Sequence, residues 1–222
     1  MRALMMNFPA KWSDVPEGWR TCFELAWQSY LEGSTPIAAV IVDSLNNVVA
    51  TGKSAVKAEL SEVVVSHNEI AHAEVNALLS LDNRIHDKDK ASAYTLYVNI
   101  EPCPLCMGAI YMSDLNKLEY AAKDRYGGST NLLGTTPYLS RKQTEVRGPH
   151  EGLELLSIFI VVYCDVLRGI ALPHVVHDEF AKDYPNVVGL AQSLAIQDSL
   201  KIRTLTSFEG VYEIVTTVMS ES

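Results

Sequence analysis

Two short motifs constrain this chain more than any other feature of its sequence. The first is His72-Ala73-Glu74, near the start of a segment with helical periodicity from Ala71 to Leu81. The second is Pro102-Cys103-Pro104-Leu105-Cys106, which lies between a predicted strand and a predicted helix. A thiolate near a helix N-terminus is stabilised by the helix dipole and by free backbone N–H groups. The two cysteines can therefore bind one metal ion from one helical turn, with His72 as a third ligand.

Three protein ligands fill only part of the tetrahedral shell of a zinc ion. The fourth position stays open for water, which distinguishes a catalytic zinc site from a structural one, and zinc lowers the pKa of that water to about 7. Glu74 stands two residues after His72, close enough to exchange protons with the water without binding the metal. The sequence therefore predicts one Zn2+ per chain, bound by His72, Cys103 and Cys106, with Glu74 as the catalytic acid and base.

Each motif also has a simpler interpretation. The two cysteines could form a redox pair, although a redox pair does not call for the His-x-Glu sequence. A structural zinc site would need a fourth ligand, and the spare candidates lack ligand-like spacing from the pair: His67, Cys22 and Cys164. His72 could be an ordinary core histidine, but Glu74 would then stand beside it in an otherwise apolar helix. The two motifs together match the signature of zinc deaminases.

Composition narrows the classes of protein to which the chain can belong. Its 222 residues are 48% hydrophobic and 20% charged, which is typical of a globular protein. The net charge is −9 and the basic residues do not cluster, which argues against nucleic acid as the main partner. Four cysteines are too few for a disulfide framework, and no apolar run approaches the ~20 residues of a membrane helix. Because no signal peptide is predicted, we expect a cytoplasmic protein without a membrane partner.

Strands and helices alternate along the chain before residue 170. Periodicity predicts helices over 17–32, 71–81, 105–113 and 151–168, and strands over 37–42, 48–51, 94–100 and 117–122. This order indicates an α/β domain in which helices cover a sheet and the all-apolar strand 37–42 is central. Residues 123–149 are predicted to form a loop, 158–164 to lie in the core, and 187–202 and 207–219 to form helices. We divide the chain into a leader (1–16), a zinc-binding domain (17–168) and a helical C-terminal extension (169–222).

With these motifs the sequence resembles the cytidine deaminase-like superfamily, and within it the branch of guanine deaminases and tRNA adenosine deaminases. The resemblance covers about residues 20–133 and also rests on the segments 37–42, 75–78, 96–98, 108–111 and 120–124. It implies a three-layer α-β-α fold around a five-stranded mixed sheet, assembled as a homodimer or larger homo-oligomer. It also implies hydrolytic deamination at an amino-bearing ring carbon, with Glu74 transferring protons. The backbone N–H of Ala73 and the side chain of Asp124 would contact the substrate.

The resemblance points to two classes of substrate. Pro104 and the segment from Gly108 to Tyr111 resemble guanine deaminases, whereas Lys123-Asp124 followed by Gly128 resembles tRNA adenosine deaminases. We expect a small amino-bearing heterocycle, nucleobase or nucleoside, with a guanine-like purine preferred. A tRNA-specific adenosine deaminase, which converts adenosine to inosine, is the alternative. A non-catalytic homologue is a third hypothesis, which the retention of Glu74 disfavours.

The sequence departs from this branch in three places. Ser54 stands where the branch usually has the asparagine that reads the purine, and serine cannot make the paired contacts of an amide. Asn68-Glu69-Ile70 replaces the usual Asp-Pro-Thr, and we expect Asn68 and Ser54 to contact the substrate. The connection from Ser54 to His72 is longer than usual, and in it Val63 to Val65 either line the substrate pocket or pack close to it. The acidic extension would repel a phosphate backbone, so we expect it to pack on the domain or on a partner subunit.

Overall fold

A computed structural model of the chain describes residues 8–59, 61–81, 92–197 and 200–221. Residues 1–7 of the predicted leader and residues 198–199 of the predicted helix 187–202 lie outside the described residues. In the remainder of the leader, Trp12–Asp14 forms one turn of 3-10 helix. Trp12 and Val15 are buried there, so this part of the leader belongs to the core.

A five-stranded mixed sheet forms the centre of the described structure, in the strand order β2-β1-β3-β4-β5. The strands are β1 Ala38–Val42, β2 Val48–Lys53, β3 Thr95–Ile100, β4 Lys117–Ala122 and β5 Glu145–Arg147. Strand β1 is antiparallel to β2 and β3, whereas β3, β4 and β5 are parallel to one another. All five residues of β1 are buried, which confirms its predicted place inside an α/β sheet.

Helices cover both faces of this sheet. They are α1 Glu17–Leu31, α2 Ala73–Ser80, α3 Pro104–Met112, α4 Leu153–Leu167, α5 Val175–Asp183, α6 Pro185–Ile196 and α7 Phe208–Glu221. Helices α1 and α4 pack on one face, and α2 and α3 on the other. The alternation along β1 supports both layers, because Val40 lies in the first core and its neighbours Ala39 and Ile41 lie in the second. The predicted three-layer α-β-α fold is confirmed.

The C-terminal extension packs against the layer formed by α1 and α4. Every residue from Ile158 to Cys164 is buried, which confirms the prediction that this run lies in the core. Helix α6 packs along α4, α5 packs on α6, and α7 contacts α1 and α4. Phe208 of α7 stacks on Phe23 of α1 with ring centroids 5.2 Å apart. The extension therefore shares one hydrophobic core with the preceding domain.

The structure differs from the sequence prediction at three elements. Strand β5 lies inside the segment predicted as a loop. It was not predicted because its three residues include only one half-buried side chain, Val146, and so show no apolar alternation. Helix α5 was not predicted, since His177 and Phe180 are the buried residues of an otherwise polar segment. Helix α6 begins at Pro185, where proline suits the first helical position, and ends at Ile196 rather than at residue 202.

Gly52 marks the closest approach between the sheet and α2. A Cβ atom at this position would lie 2.2 Å from the backbone nitrogen of Ala77 and 2.3 Å from the backbone oxygen of Ala73. Neither atom can rotate away, so α2 would have to move off β2. We expect Gly52→Ala to lower the free energy of unfolding by about 3 kcal/mol, measured by chemical denaturation.

Gly189→Ala is the matched control for this change. Gly189 lies within α6, and no atom lies within 4 Å of the Cβ position there. Alanine has the higher helix propensity, so we expect this variant to gain about 0.5–1 kcal/mol. Equal stability of the two variants would contradict the close approach of β2 and α2.

Candidate active site

The candidate site lies at one edge of the sheet. The parallel strands β3 and β4 end there, with Ile100 paired to Ala122. Strand β1 runs in the opposite direction and begins at this edge, where Ala38 pairs with Lys53 at the end of β2. The segments that follow these strand ends converge, as they do at the carboxyl edge of other α/β sheets. The edge thus gathers residues that are far apart in the sequence.

Three metal-binding side chains meet at the first turns of α2 and α3. His72 is the residue before α2, and Cys103 is the residue before α3, where Pro104 occupies the first turn. The Nδ1 atom of His72 lies 3.5 Å from Sγ of Cys103 and 3.4 Å from Sγ of Cys106. All three ligand atoms lie within 4.8 Å of one another. The structure therefore brings together the three predicted metal ligands.

These distances fit a tetrahedral zinc ion. Zinc binds cysteine sulfur at about 2.3 Å and histidine nitrogen at about 2.0 Å, which separates the two kinds of ligand atom by about 3.5 Å at a tetrahedral angle. A structural site would need a fourth protein ligand, but within the part of the chain that the structure describes the group consists of three residues. Cys22 instead donates a hydrogen bond to the carbonyl of Ala38 over 3.1 Å. The donor set thus fits a zinc ion with an open position.

The two thiols of this group differ in their proton affinity. A hydrogen bond with Cys106, together with the interaction with His72, lowers the pKa of Cys103 to about 4. The same hydrogen bond, followed by burial, raises the pKa of Cys106, because this thiol keeps the proton that the pair shares. Cys103 is consequently a thiolate at neutral pH, and a thiolate is the form of cysteine that binds a metal ion.

Glu74 is buried beside these ligands. It belongs to the first turn of α2, is 4% exposed, and lines the same cavity as His72 and Cys103. Burial raises the pKa of the Glu74 carboxyl group. A titratable group that burial perturbs in a cavity beside metal ligands is a candidate for proton transfer.

The cavity has a volume of about 230 Å³ and is lined by residues next to the ends of β1, β2, β3 and β4 at this edge. Three of the four predicted substrate contacts line it: Ser54, Ala73 and Asp124. Asn68 is not among the described residues that line it. Its exposed side chain accepts a hydrogen bond from the backbone of Ile70 over 3.0 Å, so it shapes its own turn. A second cavity, of about 310 Å³, lies at the opposite edge of the sheet and contains no residue of either motif.

Two further carboxyl groups face the cavity, and they make different contacts. Glu101 accepts hydrogen bonds from Oγ1 of Thr130 over 2.5 Å and from the backbone of Asp124 over 3.2 Å. Asp124 Oδ1 accepts bonds from the backbone of Tyr126 over 2.8 Å and of Gly127 over 3.0 Å. Both oxygens of Glu101 accept hydrogen bonds from the loop, whereas the bonds to the Asp124 side chain end on Oδ1. Burial raises the pKa of Asp124.

Sequence reasoning missed the buried asparagines that hold the cavity walls. Asn76 of α2 donates hydrogen bonds to the carbonyls of Lys53 over 3.2 Å and Val65 over 3.0 Å. Asn99 of β3 accepts a bond from the backbone of Ala38 and donates one to Pro36, both over 2.9 Å. Both asparagines are fully buried. The signal that could have found them is an amide side chain inside an apolar element, because a buried amide needs hydrogen-bond partners.

Two of the three valines of the long connection pack beside the cavity, whereas Val64 is exposed. Val63 and Val65 contact a small core of three alanines, Ala55, Ala58 and Ala71. Val56, which the sequence did not single out, lines the cavity instead. The structure therefore favours the second of the two alternatives considered for this segment, which is packing nearby.

This fold and this ligand group define a zinc-binding α/β protein. The family described as the cytidine and deoxycytidylate deaminase zinc-binding region matches residues 15–122. The chain belongs to this family. The resemblance to the cytidine deaminase-like superfamily and the predicted zinc cofactor are both confirmed.

Curated relatives of the chain carry different substrate names. A tRNA-specific adenosine deaminase from Haemophilus influenzae is 34% identical over 110 residues, which are 50% of this chain and 59% of that protein. The chain therefore spans about three fifths of the length of this relative. A cytosine deaminase from Candida albicans is 28% identical over 149 residues, which are 66% of this chain and 89% of that protein.

A solved structure is similar to the chain in fold. It is a guanine deaminase from Nitrosomonas europaea with a TM-score of 0.51 at 20% identity, covering 74% of this chain and 97% of the other. This similarity confirms the fold class and carries no information on the substrate. None of the helices in the described part of the chain has the length and apolar character needed to cross a membrane.

Proposed function

We propose that the chain is a zinc-dependent hydrolytic deaminase that acts on a small amino-bearing heterocycle, nucleobase or nucleoside, with a guanine-like purine preferred. The observation that carries the proposal is the burial of Glu74 in one cavity with the metal ligands His72 and Cys103. A structural metal site does not require a buried acid beside it. Burying a carboxyl group costs free energy unless hydrogen bonds compensate for the lost water, so its place beside the metal ligands favours a role in the reaction.

The residues of the site have separate roles in the proposed reaction. A zinc ion held by His72, Cys103 and Cys106 would act as a Lewis acid and lower the pKa of a water molecule. Glu74 accepts a proton from the attacking water and delivers it to the ring nitrogen. A second proton passes through Glu74 to the amino group, the C–N bond breaks, and ammonia leaves as the carbonyl forms. The N–H of Ala73, which has no acceptor within α2, would hold a substrate oxygen.

The cavity supports a small substrate with hydrogen-bond donors on its edge. Its volume of about 230 Å³ lies below the range of about 300–1,000 Å³ typical of drug-sized ligands. Asp124 and Ser54 line this space, and a carboxylate and a hydroxyl can both accept hydrogen bonds. The amino and ring N–H groups of a guanine-like base are suitable donors for them.

A tRNA-specific adenosine deaminase is the second candidate. The Haemophilus influenzae relative with that name, 34% identical over 110 residues, favours it, so the charge of −9 does not by itself exclude RNA. An enzyme of that kind takes a single flipped base into its pocket. The size of the cavity is therefore compatible with both candidates.

Ammonia release by the purified, zinc-loaded protein separates the two candidates. The panel holds guanine, adenine, cytosine, their nucleosides, aminated triazines and a tRNA anticodon hairpin. We expect turnover of a free base or nucleoside, with a guanine-like ring fastest, and no steep dependence on salt. Turnover of the hairpin alone, with a rate that falls steeply as salt rises, would establish the second candidate.

We further propose a homodimer or larger homo-oligomer in a cytoplasmic setting. Leu105 and Met112, on the outer face of α3, are 41% and 70% exposed, and apolar side chains on such a face favour association. The two thiols of the metal group must stay reduced to bind zinc, which supports a reducing compartment. We expect sedimentation to give a dimer or larger assembly and Met112→Glu to weaken it, whereas a monomer in both proteins would refute the assembly.

A further inference from the structure

We propose that the C-terminal extension positions Asp124 in the cavity, through Asp183 and Tyr184. The inference rests on the proposed function, because it assigns a positioning role in the same site. Asp183 and Tyr184 touch neither the cavity nor the metal ligands. They act through the two residues that flank Asp124 in the chain.

Two neighbouring residues of the extension, Asp183 and Tyr184, contact the two residues on either side of Asp124. The Tyr184 hydroxyl accepts a hydrogen bond from the backbone nitrogen of Lys123 over 3.3 Å and donates one to Glu154 over 3.2 Å. Nε of Arg125 donates a hydrogen bond to Oδ2 of Asp183 over 2.6 Å. Asp183 ends α5 and Tyr184 precedes α6. The junction of α5 and α6 therefore holds both neighbours of Asp124.

The junction is anchored in the main core. Tyr184 is 8% exposed, and it belongs to the same hydrophobic cluster as Phe159 and Tyr163 of α4. Phe180 of α5 and Val188 of α6 lie in this cluster too. Because α4 also packs on the sheet, the junction is fixed relative to the strand ends that build the cavity.

The loop that carries Asp124 is compact, so a displacement at either end reaches the carboxyl group. The carbonyl of Asp124 accepts a hydrogen bond from the backbone of Gly128 over 2.9 Å. A Cβ atom at Gly128 would lie 2.3 Å from that carbonyl and 2.4 Å from Oε2 of Glu101. The loop thus has no room to absorb a shift of Lys123 or Arg125 locally.

The positioning role can be separated from folding. The Arg125 side chain is 44% exposed and that of Asp183 is 26% exposed, and exposed ion pairs contribute little to stability. Asp183→Asn and Tyr184→Phe keep the shape of each side chain and remove only the charge or the hydroxyl. We expect both variants to fold and to bind zinc as the unchanged protein does.

The kinetic test is a mutant cycle with Asp124. We expect Tyr184→Phe and Asp183→Asn each to raise the KM for the accepted base or nucleoside about tenfold, with kcat changed less than about twofold, because the shift misplaces a binding group. Asp124→Ala should raise KM by more. In the Asp124→Ala background, the two extension changes should have no further effect on KM. Effects that add fully in that background would overturn the inference.

Two matched variants control for damage to the extension. Lys182→Gln breaks the exposed contact between Lys182 and Glu179 in the same helix and should leave KM unchanged. Exchanging the charges in the double variant Arg125→Asp, Asp183→Arg should restore KM to within about threefold of the unchanged protein. A rise of KM in Lys182→Gln, or no recovery in the exchange, would contradict the proposed pathway.

Hydrogen exchange tests the inference without a substrate. We expect the backbone amides of Tyr126, Gly127 and Gly128 to exchange about tenfold faster in Tyr184→Phe, because they donate to Asp124 in the held loop. Unchanged exchange of these amides would refute the positioning role. Absence of ammonia release by the unchanged protein would refute the proposed function instead, so the two failures are distinguishable.

Discussion

Replacing Glu74 with glutamine is expected to lower turnover of the accepted substrate by about 10²–10⁴-fold, the range of general acid–base catalysis. Glutamine has almost the shape of glutamate, so the cavity keeps its lining, but an amide cannot take up and return a proton. The variant should bind one zinc ion per chain, because Glu74 is not one of the three grouped ligands. Ammonia release and metal content, measured on the same preparation, test both parts.

Glu213→Gln is the matched control for this change. It makes the same chemical substitution at an exposed carboxylate of α7 and should leave turnover unchanged. Glu74→Gln should be at least as stable as the unchanged protein, because burial raises the pKa of the carboxyl group and therefore disfavours its charged form. Turnover unchanged by Glu74→Gln would refute the proposed mechanism.

The metal group could be predicted from sequence because each of its parts has a local signal. His72 and Cys103 each stand immediately before a helix, and apolar periodicity reveals both helices. Strand β1 is antiparallel to both β2 and β3, so β2 and β3 run in the same direction and the end of β3, with Cys103, lies at the same edge as the end of β2, from which the chain continues to α2. Local patterns and sheet topology therefore suffice for the ligands and for Glu74.

The remainder of the site depends on contacts that leave no local signal. Asp124 is held by Tyr184 through Lys123, which lies 61 residues from Tyr184 in the sequence. Asn68 could not be distinguished from Val56 as a cavity residue, because loops lack a period that tells which side chain faces inward. Strand β5 is too short and polar to show an apolar alternation. Such features follow from tertiary packing and were not accessible from pattern alone.

Replacing Cys106 with serine is expected to abolish zinc binding and turnover together. The hydroxyl of serine does not ionise near neutral pH and is a poor substitute for a cysteine sulfur, so the group loses one of its two sulfur ligands. Zinc that binds only the folded chain stabilises it by about 4 kcal/mol at a free concentration a thousand times Kd. We therefore expect the unchanged protein to lose turnover and a comparable stability when a chelator removes its zinc, and to regain both on addition of zinc. Cys106→Ser should regain neither.

Cys22→Ser makes the same substitution at a buried cysteine outside the metal group. Its hydroxyl can replace the thiol that donates to Ala38 over 3.1 Å, so zinc content and turnover should match those of the unchanged protein. One zinc ion per chain in Cys106→Ser would mean that another residue completes the shell, and would refute the three-ligand site. Loss of zinc without loss of turnover would instead show that the reaction does not require the metal ion. The expected joint loss, confined to Cys106→Ser, would link the ligand group to catalysis, because Cys22→Ser removes a buried thiol without removing a ligand.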